Sequence, residues 1–245
     1  MTRISKTLLF AVTLALAGVA VPAAQAEQGD WVIKGGATMV DPKDDNLHLG
    51  DLGAIEGVGT VTDVGLEVGD ATSFGFTVTY MATDNIGVEL LAAWPFKHDI
   101  DLAATIDGER GSGKLGETEH LPPTISVQYH FIPDGKFSPY VGVGYNFTMF
   151  SSEKLTSDAV LFFELLGDEL GLDLTDAKLK LDDSSGFAAQ IGADYKLGDK
   201  WLVNFDIRYI DIGTDPTIVG AGDELPLPEV EIDPFVYSIM VGYRF

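Results

Sequence analysis

The chain has 245 residues, no cysteine, 46% apolar residues and a formal charge of −23. So acidic a chain is a poor partner for nucleic acid, whose phosphates call for Lys and Arg, and an exported chain without cysteine is stable without disulfides. The length accommodates one large domain or two small ones.

Residues 1–26 read as a targeting segment. Arg3 and Lys6 precede an apolar stretch over 7–21, and Ala24-Gln25-Ala26 precedes the polar Glu27-Gln28-Gly29-Asp30. That order predicts a cleaved secretory signal peptide, because the apolar stretch is shorter than the roughly 20 residues of a spanning helix. Losing Arg3 and Lys6 takes the charge from −23 to −25. Nothing in 27–245 is apolar for long enough to span a membrane as a helix. If the chain lives in a membrane, a closed barrel remains, since lipid cannot satisfy an open sheet edge.

Residues 27–245 alternate with period two, the signal of strands with two unlike faces. The first segment, 31–40, sets Trp31, Ile33, Ala37 and Met39 against Lys34, Gly36 and Thr38. The second, 72–82, sets Phe74, Phe76, Val78 and Tyr80 against Gly75, Thr77 and Thr79. The third, 86–97, places Ile86, Val88, Leu90, Ala92, Trp94 and Phe96 on one face. The fourth, 121–131, opposes Ile125, Val127, Tyr129 and Phe131 to Ser126, Gln128 and His130; the fifth, 139–150, opposes Val141, Val143, Tyr145 and Phe147 to Gly142, Gly144 and Asn146. The sixth, 185–197, and the seventh, 201–212, repeat the pattern with Phe187, Ile191 and Tyr195, then Trp201, Val203, Phe205, Ile207 and Tyr209. The last runs from Phe235 to Phe245 and is the cleanest, with Phe235, Tyr237, Ile239, Val241, Tyr243 and Phe245 all on one face.

Connections at 83–85, 133–137 and 198–200 are tight, whereas 41–71, 98–120, 151–184 and 213–233 are long. Short turns on one side and long loops on the other match an outer-membrane barrel with its turns in the periplasm. Aromatics sort to both strand ends as two girdles. The expected fold is an all-β, eight-stranded antiparallel transmembrane β-barrel over 27–245. Residues 158–174, with Val160, Leu161, Phe163, Leu165, Leu166, Leu170 and Leu172 among acids, predict a short amphipathic helix capping its mouth.

TVTYMATDNIGVELLAA at 77–93, HLPP at 120–123, WLVNFDIRYID at 201–211 and DPFVYSIMVGYRF at 233–245 resemble the OmpW family of outer-membrane proteins. The resemblance covers most of 27–245 and is weakest in the loops. It implies an eight-stranded barrel with a narrow apolar channel for small hydrophobic molecules, and relatives that resemble alkane-uptake proteins or phage and bacteriocin receptors.

Inward-facing residues divide by height. Toward the short turns lie Lys34, Glu89, Gln128, Asp194, Asn204, Asp206, Arg208 and Arg244, together with His130 and Lys196. Mixed charges in a lumen only wide enough for side chains predict a polar plug. Toward the loops the inward face is apolar: Val40, Leu91, Ala93, Pro95, Leu121, Ile210 and Ile212, with Ala188 and Val236. These either line a pocket for an apolar ligand or pack against inserted loops. Pro122 and Pro123 remove ladder donors where the fourth strand begins, which marks either a strand terminus or a side exit. Tyr243 and Phe245 form the terminal aromatic pattern that barrel assembly machinery reads.

His48, His98 and His120 fall in predicted loops at spacings that match no metal motif. There is no G-x-S-x-G, HExxH or phosphate-binding loop, so no cofactor, metal or enzymatic activity is expected. A lipid-modifying enzyme would have to draw on Ser151, Ser152 and His98. The expected function is passive uptake of small hydrophobic molecules with lateral exit into the membrane, and the expected partners are outer-membrane lipids, the assembly machinery and those ligands. A non-transporting structural or receptor barrel is the alternative.

Overall fold

Alternation along β1 (Trp31–Asp41) becomes two physical faces: Trp31 and Ile33 are exposed, while Val32, Lys34, Thr38 and Val40 are buried. The same holds along β2 (Ala71–Met81), β3 (Ile86–Ala93), β4 (Thr124–His130), β5 (Phe137–Leu155), β6 (Ser184–Lys196), β7 (Trp201–Ile210) and β8 (Phe235–Arg244). Each strand pairs antiparallel with its sequence neighbour, and β1 pairs with β8 over ten residues, from Val32↔Arg244 to Asp41↔Phe235, so the sheet closes on itself. This is the eight-stranded barrel expected from the alternation. These contacts come from a computed structural model that describes residues 28–43, 47–51, 53–55 and 59–245; the predicted signal peptide at 1–26 lies outside them.

The outer wall exposes Phe76, Val88, Leu90, Val127, Val143, Ile191, Phe205 and Ile239, each at least 40% accessible. An apolar belt of that extent is stable only against lipid. Girdle rings meet in pairs at its two edges. Trp31–Tyr80 and Trp201–Tyr243 lie 5.0 and 4.9 Å apart at the short-turn end, and Phe74–Trp94 and Tyr209–Phe235 lie 5.1 and 5.7 Å apart at the other.

β5 has 19 residues, whereas a spanning strand needs ~9–11. Its far end therefore leaves the membrane and seeds a second sheet. There it pairs with Glu109–Leu121, which forms a hairpin with Phe96–Ile106, and that strand carries Gly59–Val68 on its other edge. A three-stranded sheet of Lys178–Leu181, Pro216–Val219 and Glu224–Pro226 stands beside it. The predicted helix is α1 (Ser157–Leu170). Thr156 Oγ1 accepts a hydrogen bond from the Ala159 amide at 3.2 Å, and Gly171, at φ 71, ends the helix four residues short of the expected 174. The long connections, expected to be loops, are thus largely sheet and helix.

One face assignment is corrected. Strict alternation puts Phe96 on the lipid face of the third strand, but it is 1% exposed and points inward. β3 stops at Ala93, and Trp94 and Pro95 are both exposed in succession. Proline has no N–H to continue the ladder, and a one-residue slip turns every later side chain to the opposite face.

Candidate functional site

The lower lumen is crossed by one bonded polar layer. Glu89, from β3, receives Lys34 Nζ of β1 at 2.8 Å on one oxygen and Arg208 Nη2 of β7 at 2.8 Å on the other. Thr79 Oγ1 adds a bond to Glu89 at 3.1 Å. Arg208 also faces Asp206 at 3.6 Å. Asp206 accepts from the Tyr140 hydroxyl at 2.9 Å, and Asn204 Nδ2 donates to Tyr140 at 2.9 Å and to Asp194 at 2.8 Å. Gln128 lies against His130 at 3.3 Å. Lys34, Glu89 and Arg208 are at most 2% exposed.

Tyr140 is the member that sequence reasoning missed. Its signal was parity: it shares the inward face with Gly142, Gly144 and Asn146. A Cβ on Gly192 would fall 2.4 Å from the Tyr140 ring and hydroxyl, so that glycine makes room for the ring to cross the lumen. Arg244 lies apart from the layer. It is half-buried at the short-turn rim, where it donates to the Asp199 carbonyl at 2.6 Å and faces Asp30 at 3.6 Å.

Above the layer, the apolar inward residues are packed. Val40, Ile210 and Ile212 are 0–1% exposed and form one cluster with Ala188, Val236, Phe96, Ile100, Val230 and Ile232. Ala93 packs against that cluster half-buried, and Leu91 is buried. Leu121 is half-buried and pairs with Met149, while Pro95 is exposed.

Open space lies higher, within the extracellular extensions. A small cavity of about 50 Å3 is lined by Leu66, Ile100, Leu115, Phe150, Phe163, Leu179, Ile218, Val230 and Ile232, with His98, His120, Thr118 and Thr214. The residues expected to line an apolar pocket are therefore not its lining: Val40, Ala93, Ile210 and Ile212 belong to the packed cluster, which shares Leu66, Ile100, Val230 and Ile232 with the cavity wall, and Pro95, expected to face inward, is exposed. The extensions supply the walls because their inward faces have nothing else to cover. α1 contributes Phe163, and Ala159 and Gly167 bury the same face of the helix.

The barrel wall is interrupted next to this cavity. Pairing of β3 with β4 ends at Leu91↔Thr124 and resumes between the extensions at Phe96↔His120. Residues 92–95 and 121–123 between those two pairs carry no ladder to one another. Pro122 and Pro123 have no N–H to offer one, and their carbonyls bond elsewhere. Thr124 Oγ1 donates to Pro122 O at 3.1 Å; Asn146 Nδ2 and the Phe147 amide donate to Pro123 O at 3.2 and 3.0 Å. His120, at the upper edge of the gap, also lines the cavity.

His98 and His120, expected in loops, both occupy strands and are buried. Burial holds His98 below its ordinary range and pushes His120 down to about 3, helped by the neighbouring His98. His48 lies instead beside Asp63, at 3.5 Å. Ser151 and Ser152 are exposed, and His98 Nδ1 is engaged by Gly69 O at 2.6 Å, so no serine–imidazole pair forms.

An outer-membrane barrel is also the likeness found by comparison. The OmpW family profile matches residues 27–245. The chain belongs to the OmpW family. It is 40% identical to outer membrane protein W of Vibrio cholerae over 221 residues, 89% of this chain and 90% of the relative. It is 38% identical to outer membrane protein W of Escherichia coli over 237 residues, 96% of each. Among solved structures, OprG of Pseudomonas aeruginosa matches with a TM-score of 0.70 and 34% identity, over 92% of this chain and 99% of that one. The protein is an outer-membrane barrel, with its short turns toward the periplasm and its extensions outside.

Proposed function

We propose that this OmpW-family protein is a passive route for small hydrophobic molecules, which enter the extracellular cavity and leave sideways into the bilayer between β3 and β4. One observation carries the reading: the apolar cavity lies beside the break in the wall, with His120 common to both. An apolar solute gains ~25 cal/mol for each Å2 of surface it buries there. Going straight down, it would have to part buried charges from their partners, which is strongly unfavourable. The stretch at 92–95 and 121–123, where no ladder joins the two segments, avoids that barrier.

The tight packing of Val40, Ile210 and Ile212 favours a second reading, a receptor barrel solid inside and active only through its surface. One experiment separates the two: uptake of an apolar dye by vesicles holding matched amounts of folded protein. Leu115, half-buried on the cavity wall, is changed in Leu115→Asp; an unpaired charge there should lower cavity occupancy and uptake at least ~10-fold. Pro122→Val with Pro123→Val restores two ladder donors, should let the gap zip closed, and should also lower uptake. Unchanged uptake in both variants, or a parent no better than empty vesicles, establishes the receptor reading instead.

A further inference from the structure

Bases are scarce in this acidic chain, and those of the extracellular extensions mostly have carboxylate partners. Lys43, Lys97, Arg110, Lys114, Lys154 and Lys180 each form an ion pair. Two lysines at the opposite end differ. Lys136, in the turn before β5, and Lys200, in the turn before β7, are exposed and form no ion pair among the described residues. Asp134 and Asp199 share those turns without reaching the two ammonium groups. Each lysine lies instead over a ring of the outer wall. Lys136 Nζ is 5.2 Å from the centroid of Tyr195, and Lys200 Nζ is 5.6 Å from that of Tyr243. A ring face attracts an ammonium but has no oxygen to accept its three N–H donors. Both rings belong to the girdle at the short-turn end. Tyr195 on β6 continues the lipid face of Phe187 and Ile191, and Tyr243 on β8 continues that of Ile239 and Val241. An amphipathic lysine in that position lays its stem on the apolar wall and its charge at the depth of the lipid headgroups.

We propose that the β6–β8 sector of the periplasmic rim is a binding site for anionic phospholipid, with Lys136 and Lys200 donating to the phosphate oxygens and the girdle beside them receiving the acyl chains. β7 runs between the two strands that carry the tyrosines. The two ammonium groups therefore stand about 10 Å apart across the sheet, a separation that neighbouring phospholipids span. A zwitterionic lipid brings its own ammonium beside the phosphate and gains less from a second cation. A free phosphate lacks the acyl chains that Leu197 and Trp201, 60% and 54% exposed, are placed to meet. The other bases of this rim are engaged within the protein. Arg244 donates to the Asp199 carbonyl and faces Asp30, and Lys196 Nζ donates to the Pro133 carbonyl at 2.5 Å. The turn at Thr83-Asp84-Asn85 has no base at all, so the preference belongs to one side of the barrel.

Trp201 follows Lys200 and lies 4.9 Å from the Tyr243 ring, which makes it the reporter for the site. The mature chain carrying Trp31→Phe and Trp94→Phe is refolded into phosphatidylcholine vesicles. These contain equal mole fractions of either brominated phosphatidylglycerol or brominated phosphatidylcholine, whose bromines quench a tryptophan that they touch. Trp201 should prefer the anionic lipid, by roughly fivefold in relative affinity for each lysine. Lys136→Gln with Lys200→Gln should bring the ratio close to one while heat-modifiable mobility reports a folded barrel. A protein that keeps only Trp94, at the far end of the barrel, through Trp31→Phe and Trp201→Phe, should show no preference. Equal quenching of Trp201 by the two lipids overturns the proposal. So does a preference that survives the double substitution, or one that is as large at Trp94, because the net attraction would then belong to the whole surface. Salt gives a reading that needs no lysine variant. Raising ionic strength from 0.1 to 1 M shortens the screening length from about 10 to about 3 Å and should abolish the preference at Trp201. A preference unchanged by salt overturns the role of the two ammonium groups.

Discussion

Glu89 answers two cations at once, and that makes it the most sensitive residue of the lumen. Lys34 and Arg208 reach its two oxygens from opposite sides, each at 2.8 Å and each nearly inaccessible. Taking three charges out of water is repaid only while all three stay paired. Glu89→Gln keeps the shape and removes the negative charge, leaving two buried cations with Asp206 as the nearest carboxylate to Arg208. The expected loss is about 3–5 kcal/mol, read as a lower urea midpoint for protein refolded into lipid vesicles. A midpoint equal to the parent's would mean that water, not Glu89, solvates the two cations.

Among the elements, β8 does the most to complete the barrel, since it pairs with β1 on one side and β7 on the other. Beyond its last residue, the Phe245 amide donates to Trp31 O at 2.9 Å, and the Phe245 ring meets Tyr243 at 4.8 Å. The closing strand thus ends in an aromatic pair on the lipid face. We propose that assembly machinery reads that pair. Deleting Phe245 should reduce the amount of heat-modifiable, folded barrel in the outer membrane, while protein refolded in vitro loses little beyond one edge contact. Equal yields of folded protein in cells would remove the terminal pair from assembly.

At the scale of the whole molecule, the two ends of the barrel differ in kind. One ends in tight turns; the other carries a second sheet, α1 and the cavity. Trypsin added to intact cells should therefore reach Arg110, beside the hairpin tip, and Lys180, both at least 40% exposed. Lys136 and Lys200, in the short turns, should be cut only after the membrane is broken. Fragments ending at Lys136 or Lys200 from intact cells would invert the protein in the membrane.

Eight strands, their lipid faces and both girdles were legible in the sequence, because period-two alternation is local and a lipid-facing wall enforces it along every strand. The inward charges from Lys34 to Arg208 were legible for the same reason, and so was α1, from its apolar spacing. Phe96 was not, because alternation was carried through Pro95, where the ladder stops and the face of the residues that follow is reversed. The inward face of Tyr140 could be had from parity, but that its ring crosses the lumen depends on clearance left by Gly192, a residue on the neighbouring strand. The cavity was hidden most fully. Leu66, Phe163, Ile218 and Ile232 come from separate stretches of the long connections and share no period, and His98 and His120 became neighbours only when Phe96–Ile106 folded back on Glu109–Leu121. Alternation tells each residue which way to face across its own strand. Which distant faces then meet, and what space they leave, is set by pairing and packing among the extensions.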